Sequence, residues 1–145
     1  MNRYDPNFVP TYALFLIGVK VIIFNDEDQI LLLKRSEKTS RAHGWDFAGG
    51  GVDRGESPLE AVVREVSEET GLTIDTVRTL STSHGHVKGK EYVLLGFSAR
   101  LSSGEVTLSW EHESYQWMTL EEVKSIELPE SQRLIMDMYE NSLTA

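Results

Sequence analysis

The sequence predicts an α/β fold, an α/β/α sandwich with a mixed central sheet. Three observations carry this: strand-like runs rich in Val, Ile and Leu on both sides of one strongly marked helix, a second amphipathic helix near the C-terminal end, and no internal repeat or linker. Strands before and after a central helix form one sheet, and the helices pack on its faces. At 145 residues the chain suits one hydrophobic core, so residues 1–145 are expected to form a single domain.

The first element is the apolar run TYALFLIGVKVIIF, Thr11 to Phe24, expected as buried strand. It is too short to span a hydrocarbon core and carries Lys20. The residues before it include Asp5 as well as Arg3, and no small-residue cleavage pattern follows, so a secretory signal is not expected. Turn residues Asn25 to Asp28 and the run Gln29 to Lys34 complete a β-hairpin. Arg35 to Gly44 is polar loop, and Trp45 to Phe47 is a short strand running into glycines.

Ser57 followed by Glu60 is a capping box, Pro58 occupies the first helical position and Gly71 stands just past the end, which predicts a helix over Ser57 to Thr70. Leu59, Val62, Val63 and Val66 are expected to form its buried stripe. Leu72 to Ser83, Glu91 to Leu101, Glu105 to Trp110 and Ser114 to Met118 carry strand patterns, with Ser102 to Gly104 as a turn. Thr119 with Glu122 opens a short helix, and Leu134, Ile135, Met138 and Tyr139 line one side of a final helix after Pro129.

Composition narrows function. Asp and Glu number 23 against 14 Lys and Arg, a net charge of -9 that disfavours duplex nucleic acid and anionic bilayers. The absence of cysteine excludes disulfides, Cys-ligated metal centres and thiol nucleophiles, and it fits cytoplasmic residence. His43, His84, His86 and His112 are too scattered along the chain to predict a metal cluster, although His84 and His86 are candidates for touching substrate.

Against that acidic background, Glu65, Glu68 and Glu69 fall within an arc of roughly 100° on what is expected to be one exposed helix face. Their mutual repulsion sits near the helix C-terminus, where the dipole also disfavours anions. A hard divalent cation, Mg²⁺ or Mn²⁺, would relieve it and fill its remaining positions with water and substrate phosphate oxygens. The competing reading is a solvated acidic face.

The residues around the three glutamates favour the cation. From Gly50 to Leu72 the sequence reads G-x5-E-x7-R-E-V-S-E-E-T-G-L, which resembles the signature box of the Nudix hydrolase family at Gly50, Glu56, Arg64, Glu65, Val66, Glu68, Glu69, Gly71 and Leu72. The resemblance implies the family's α/β/α sandwich and Mg²⁺-dependent hydrolysis of a nucleoside diphosphate linked to another group, with Mn²⁺ able to substitute. It also implies a small nucleotide as partner and allows a homodimer, while the acidic charge balance leaves no role expected for nucleic acid or membrane.

By position, Glu68 and Glu69 resemble the family's direct metal ligands, with the Gly50 carbonyl as an addition and Glu65 as a further ligand or the general base. Arg64 and Glu56 resemble the pair that orients the helix against the loop. Family members often carry another acidic residue on a later loop, for which Glu111 and Glu113 compete, so the base stays open among Glu65, Glu111 and Glu113. Arg35 is similar to a phosphate-contacting arginine of triphosphate-cleaving relatives, and Lys88 and Lys90 could assist. Trp45, Phe47, Tyr92 and Trp117 could stack on a base, against the alternative of core packing.

Markers of other subclasses are missing: Val87 and Lys88 stand where many ADP-ribose hydrolases have proline, and neither the dinucleoside-polyphosphate tyrosine nor an S-Q-P-W-like run is found. A nucleoside triphosphate, cleaved to monophosphate and pyrophosphate, is therefore the expected substrate. A nucleotide sugar, ADP-ribose or a dinucleoside polyphosphate is the alternative within the chemistry, and a non-catalytic nucleotide-sensing domain is the alternative outside it. Ala48, where relatives commonly have proline, puts the geometry of the glycine loop in question.

Overall fold

The apolar run becomes strand only from Leu16. In a computed structural model, which describes residues 5–145 and so leaves Arg3 outside, the elements are β1 (Leu16–Phe24), β2 (Ile30–Arg35), β3 (Trp45–Asp46), α1 (Pro58–Thr70), β4 (Thr73–Val87), β5 (Lys90–Ser103), β6 (His112–Met118), α2 (Leu120–Ser125) and α3 (Glu130–Leu143). β1 pairs in parallel with β5 from Leu16 opposite Tyr92 to Phe24 opposite Arg100. Since β5 begins at Lys90, the ladder runs out just upstream of Leu16, and Thr11 to Phe15 stay outside the sheet and exposed.

The sheet order is β3-β2-β1-β5-β4, with β6 on β2; only β1 and β5 are parallel, so the sheet is mixed as expected. Alternation along the strands feeds two cores. Val19, Val21, Leu31 and Leu33 face Val62 and Val66 of α1, whereas Ile22, Ile30 and Leu32 face Val123 of α2 and Ile135 and Met136 of α3. The β1–β2 hairpin closes on Asn25, whose Oδ1 accepts from the amides of Glu27 at 3.0 Å and Gln29 at 2.9 Å. No helix among the described residues is long and apolar enough to cross a membrane.

Both ends of α1 form as the sequence predicts: the capping box is complete and Gly71 caps the helix in the left-handed region at φ 69°. Its buried face differs. Leu59 and Val63 are 51% and 47% exposed, while Ala61, Val62, Val66, Glu69 and Thr70 are buried. The helix is thus rotated by about 60° from the stripe drawn through its large apolar residues. That rotation carries Glu69 off the solvent face and into the molecule.

Glu105 to Trp110 is not a strand. Val106 and Leu108 do turn inward, but the backbone amides of Thr107 and Ser109 donate to the carbonyls of Thr70 at 2.8 Å and Glu69 at 3.1 Å. The segment satisfies the orphan carbonyls at the end of α1 instead of joining the sheet. β4 and β5 run further than their apolar patterns, meeting in a two-residue turn at Lys88 (φ 50°) and Gly89 (φ 75°). In α3, Gln132 and Met136 join Ile135 in the interior and Met138 is exposed, because Gln132 is drawn to Asp46.

Candidate active site

The glycine loop is sewn to β1. β3 pairs with β2, and the chain beyond it crosses over: the amides of Val21, Val19 and Val52 bond the carbonyls of Ala48 (3.0 Å), Gly50 (2.9 Å) and Ile17 (2.9 Å). Ala48 is buried and supplies one of these acceptors, so the loop keeps its course without a proline. Gly49 sits at φ 139°, and a Cβ there would lie 2.1 Å from the Val19 carbonyl oxygen, so no other residue fits without moving β1.

Lys20 reaches across beneath this loop. Its Nζ donates to Asp46 Oδ2 (3.0 Å) and to the carbonyls of Phe47 (2.9 Å) and Gly49 (3.0 Å). Asp46 also receives Arg35 Nη1 at 2.8 Å and Gln132 Nε2, while Gln132 Oε1 accepts the Phe47 amide at 2.9 Å. Burial alone would raise the Asp46 carboxyl, but Lys20, Arg35 and Gln132 together hold it below its ordinary value. β1, β2, β3 and α3 thereby fix the loop from behind.

Above the loop lie the α1 carboxylates. The Gly49 amide donates to Glu69 Oε2 at 2.8 Å, and Glu69 is 4% exposed. Burial raises its pKa to about 7, against the lowering effects of Lys20 and the Gly49 amide. Glu65 is half-buried and also raised, chiefly by burial and partly offset by Arg64; Glu68 is exposed. Arg64 grips Glu56 with Nε to Oε2 at 2.8 Å and Nη2 to Oε1 at 2.9 Å, and Nη2 also donates to the Gly51 carbonyl at 2.9 Å. Its Nη1 lies 3.1 Å from both Glu65 Oε1 and Glu68 Oε2. Hydrogen bonds from Arg64, then from the Asp53 amide, hold Glu56 down to about 2. One guanidinium therefore ties loop to helix and orders two of the three glutamates.

Gly50 leaves the space in which Glu65 sits, since a Cβ there would fall 2.5 Å from Glu65 Oε1. Gly50→Ala should displace that carboxylate and lower kcat/KM by about tenfold to a hundredfold, an effect of roughly 1.4–2.7 kcal/mol on the barrier. Steady-state kinetics beside a thermal melt check this; unchanged kcat/KM would show that the Glu65 position is immaterial.

Other expected site residues are distributed differently. Phe47 is not a stacking surface: it is fully buried in the α3-side core, its amide bonded to Gln132. Trp45 is half-buried, with Lys34 Nζ 5.8 Å from its ring centroid, and it lines a cleft of about 450 Å³ with Arg41, His43, Leu128 and Pro129. Arg35 is engaged by Asp46 and by the Ser40 carbonyl at 2.7 Å. Tyr92 is half-buried with its ring over Gly85, and Trp117 packs against the α1-side core. The Gly50 carbonyl accepts from Val19.

Glu113 pairs with His43 Nδ1 at 2.8 Å. Glu111 lies in the turn after Ser109, the residue bonded to the end of α1, and its carbonyl accepts the Ser36 amide at 2.8 Å. His112 is buried with both ring nitrogens unpaired, and burial lowers its pKa to about 4, leaving it neutral. His84 and His86 are not scattered, for both approach Glu91. Sequence reasoning missed Lys20, Asp46, Gly49 and Gln132 as parts of the site. The available signal was a lysine and an aspartate inside otherwise apolar strand segments, where an unpaired charge is costly.

The cluster offers hard oxygen donors, and two of its members are held partly or wholly out of water with burial raising their pKa values. Such a set suits a divalent hard cation, which would favour the ionised forms and leave positions for phosphate oxygens.

Comparison with known proteins gives a concordant picture. The model of the NUDIX domain family matches residues 14–139. An RNA pyrophosphohydrolase of Vibrio cholerae is 37% identical over 76 residues, covering 52% of this chain and 42% of that protein. The crystal structure of the MutT protein from Methanosarcina mazei Go1 superposes at TM-score 0.79 with 30% identity, covering 94% of this chain and 100% of that one. A MutT NUDIX hydrolase from Burkholderia pseudomallei superposes at 0.73 with 27% identity, over 86% and 98%. The chain spans less than half the length of the curated relatives it matches.

Proposed function

The chain belongs to the NUDIX domain family, and on that premise we propose that it hydrolyses phosphoanhydride bonds of nucleotides with Mg²⁺ as cofactor, acting on a nucleoside triphosphate to give the monophosphate and pyrophosphate. The observation that carries this reading is the carboxylate set of α1, with Glu69 bonded to the Gly49 amide and Glu65 and Glu68 both ordered by Arg64. An intact set of this kind argues for catalysis and against a domain that only senses nucleotides.

Glu65, Glu68 and Glu69 are the residues that would hold Mg²⁺ or Mn²⁺. When bound, the ion supplies charge neutralisation for the phosphoryl oxygens and orientation of the attacking water. Arg64 acts as the positioning residue, keeping Glu65 and Glu68 against the loop through its grip on Glu56 and Gly51. Glu65 is the favoured proton acceptor because it stands within the carboxylate set, where burial raises its pKa, whereas Glu113 is engaged by His43. Glu111 is the competitor. Loss of kcat in Glu65→Gln with near-normal kcat in Glu111→Gln supports this assignment, and the reverse transfers it to Glu111. The cleft beside Trp45 is the proposed place for the base.

A second reading keeps the chemistry and changes the carrier: the 5′-triphosphate end of an RNA, favoured by relatives named RNA pyrophosphohydrolase. The net charge of -9 argues for the free nucleotide. Chromatography of products from a panel of nucleoside triphosphates, a nucleotide sugar, ADP-ribose, a dinucleoside polyphosphate and a 5′-triphosphorylated oligoribonucleotide, with and without Mg²⁺, tests both. Pyrophosphate release from free triphosphates is the expected result; no Mg²⁺-dependent product from any of them would contradict the proposal.

Metal binding should depend on pH. Glu69 holds its proton up to about pH 7, so Mg²⁺ must displace a proton below that value. Apparent Mg²⁺ affinity should fall by up to about tenfold per pH unit below 7 and level off above it. Calorimetric titrations between pH 5.5 and 8 measure this directly, and a pH-independent affinity would contradict it.

A further inference from the structure

We propose that His84, His86 and Glu91 form a second metal site, one for a borderline transition ion of the Zn²⁺ class, at the tip of the β4–β5 hairpin. The three residues offer one ligand atom each, all within 4.8 Å of one another, and they form the group of this kind found among the described residues. None of them belongs to the α1 carboxylate set.

The arrangement follows from strand geometry. His84 and His86 are two apart on β4 and therefore project from the same face of the ribbon. Glu91 on β5 lies directly opposite His86 in the register. The turn between them has only two central residues, Lys88 and Gly89, both at positive φ, which is the backbone of a tight type I′ connection. Val87 opposite Lys90 closes it, so no slack remains by which Glu91 could slide away from the imidazoles. The His84 ring is further braced edge-on by Phe15 at 5.6 Å between centroids, and it meets the His86 ring at 5.3 Å.

The distances fit the edges of a coordination polyhedron. Glu91 Oε1 lies 3.4 Å from His84 Nε2 and 3.3 Å from His86 Nε2. Both separations exceed the ~2.7–2.9 Å of a charge-assisted N–H···O⁻ hydrogen bond. A tetrahedral ion with bonds of about 2.0–2.1 Å keeps its ligand atoms about 3.3–3.4 Å apart, which matches the two separations from Glu91. One carboxylate oxygen thus stands at the edge length of a coordination tetrahedron from each of two imidazole nitrogens.

Ligand chemistry sets the metal class. Two imidazoles with one carboxylate suit Zn²⁺ and its neighbours in the first transition row, whereas Mg²⁺ prefers oxygen alone. Three protein ligands leave a fourth tetrahedral position for water or a ligand from solution. Bound there, the ion would link β4 to β5 at the end of the ribbon, next to Tyr92, where β1 enters the sheet.

The test is calorimetric Zn²⁺ titration of the full chain in excess Mg²⁺, repeated on Glu68→Gln, on His84→Gln and His86→Gln singly, and on the double histidine variant. Thermal melts confirm folding, and ¹H–¹⁵N imidazole spectra report on the two rings. The expected result is one equivalent of Zn²⁺ that persists in Glu68→Gln, weakens at least about tenfold in each single histidine variant and vanishes in the double variant. The His84 and His86 ring signals of the parent protein should shift on saturation. Zn²⁺ binding that is lost in Glu68→Gln, that survives in the double histidine variant, or that leaves both rings unmoved overturns the proposal, as does no binding at all.

Discussion

Glu69→Gln should abolish most turnover, by about 10²- to 10³-fold, while making the metal-free protein more stable at pH 8. The two effects have one cause. Glu69 is buried against the Gly49 amide, and burial lifts its pKa to about 7 from an ordinary value of 4.5. A carboxyl raised on folding favours the fold most below about pH 4.5, and that contribution is lost as pH rises through about 7. Above that value the metal-free fold carries a buried charge that costs on the order of 3 kcal/mol. Glutamine keeps an oxygen for the Gly49 amide but removes the charge. In chelator the stability advantage of the variant over the parent chain should therefore grow as pH rises from about 4.5 to about 7, as thermal melts of the two at each pH would show. Parallel profiles for the two proteins would show that Glu69 is not the group responsible.

Lys20→Met should produce the largest loss of stability, about 3–5 kcal/mol, and carry activity down with it. The ammonium has three acceptors, Asp46 and the carbonyls of Phe47 and Gly49, and the methionine chain satisfies none of them. Asp46 is almost fully buried and would keep only Arg35 and Gln132. Urea denaturation measures the loss, and Asp46→Asn should cost less in the Lys20→Met background than in the parent chain, because one of the bonds it breaks is already gone. A single variant within 1 kcal/mol of the parent would mean that Lys20 does not hold the loop.

These two residues also mark where sequence reasoning stops. The ends of α1 were legible because Ser57, Glu60, Pro58 and Gly71 act within one or two turns of backbone. Its rotation was not. Leu59 and Val63 argue for one buried face, and the competing pull comes from the Gly49 amide and Lys20, distant in sequence and adjacent only after the loop has bridged to β1. Glu105 to Trp110 shows the same limit: its alternation was visible, but nothing local says that its amides would serve the last carbonyls of α1. Phe47 was visible as an aromatic beside glycines, while its burial depends on α3. His84 and His86 were visible as candidate substrate contacts but not as neighbours on one strand, because Ser83 to Glu91 is polar apart from Val87, which hides a strand from any apolar pattern.

Binding of the divalent ion that hydrolysis requires is proposed for the α1 carboxylates. Its most direct test is a crystal soaked with Mn²⁺ and a non-hydrolysable nucleotide, read by anomalous scattering. The predicted result is a manganese peak in bonding contact with Glu68 and Glu69, with a nucleotide phosphate oxygen on its far side. An ordered nucleotide with no anomalous density at those carboxylates would contradict it.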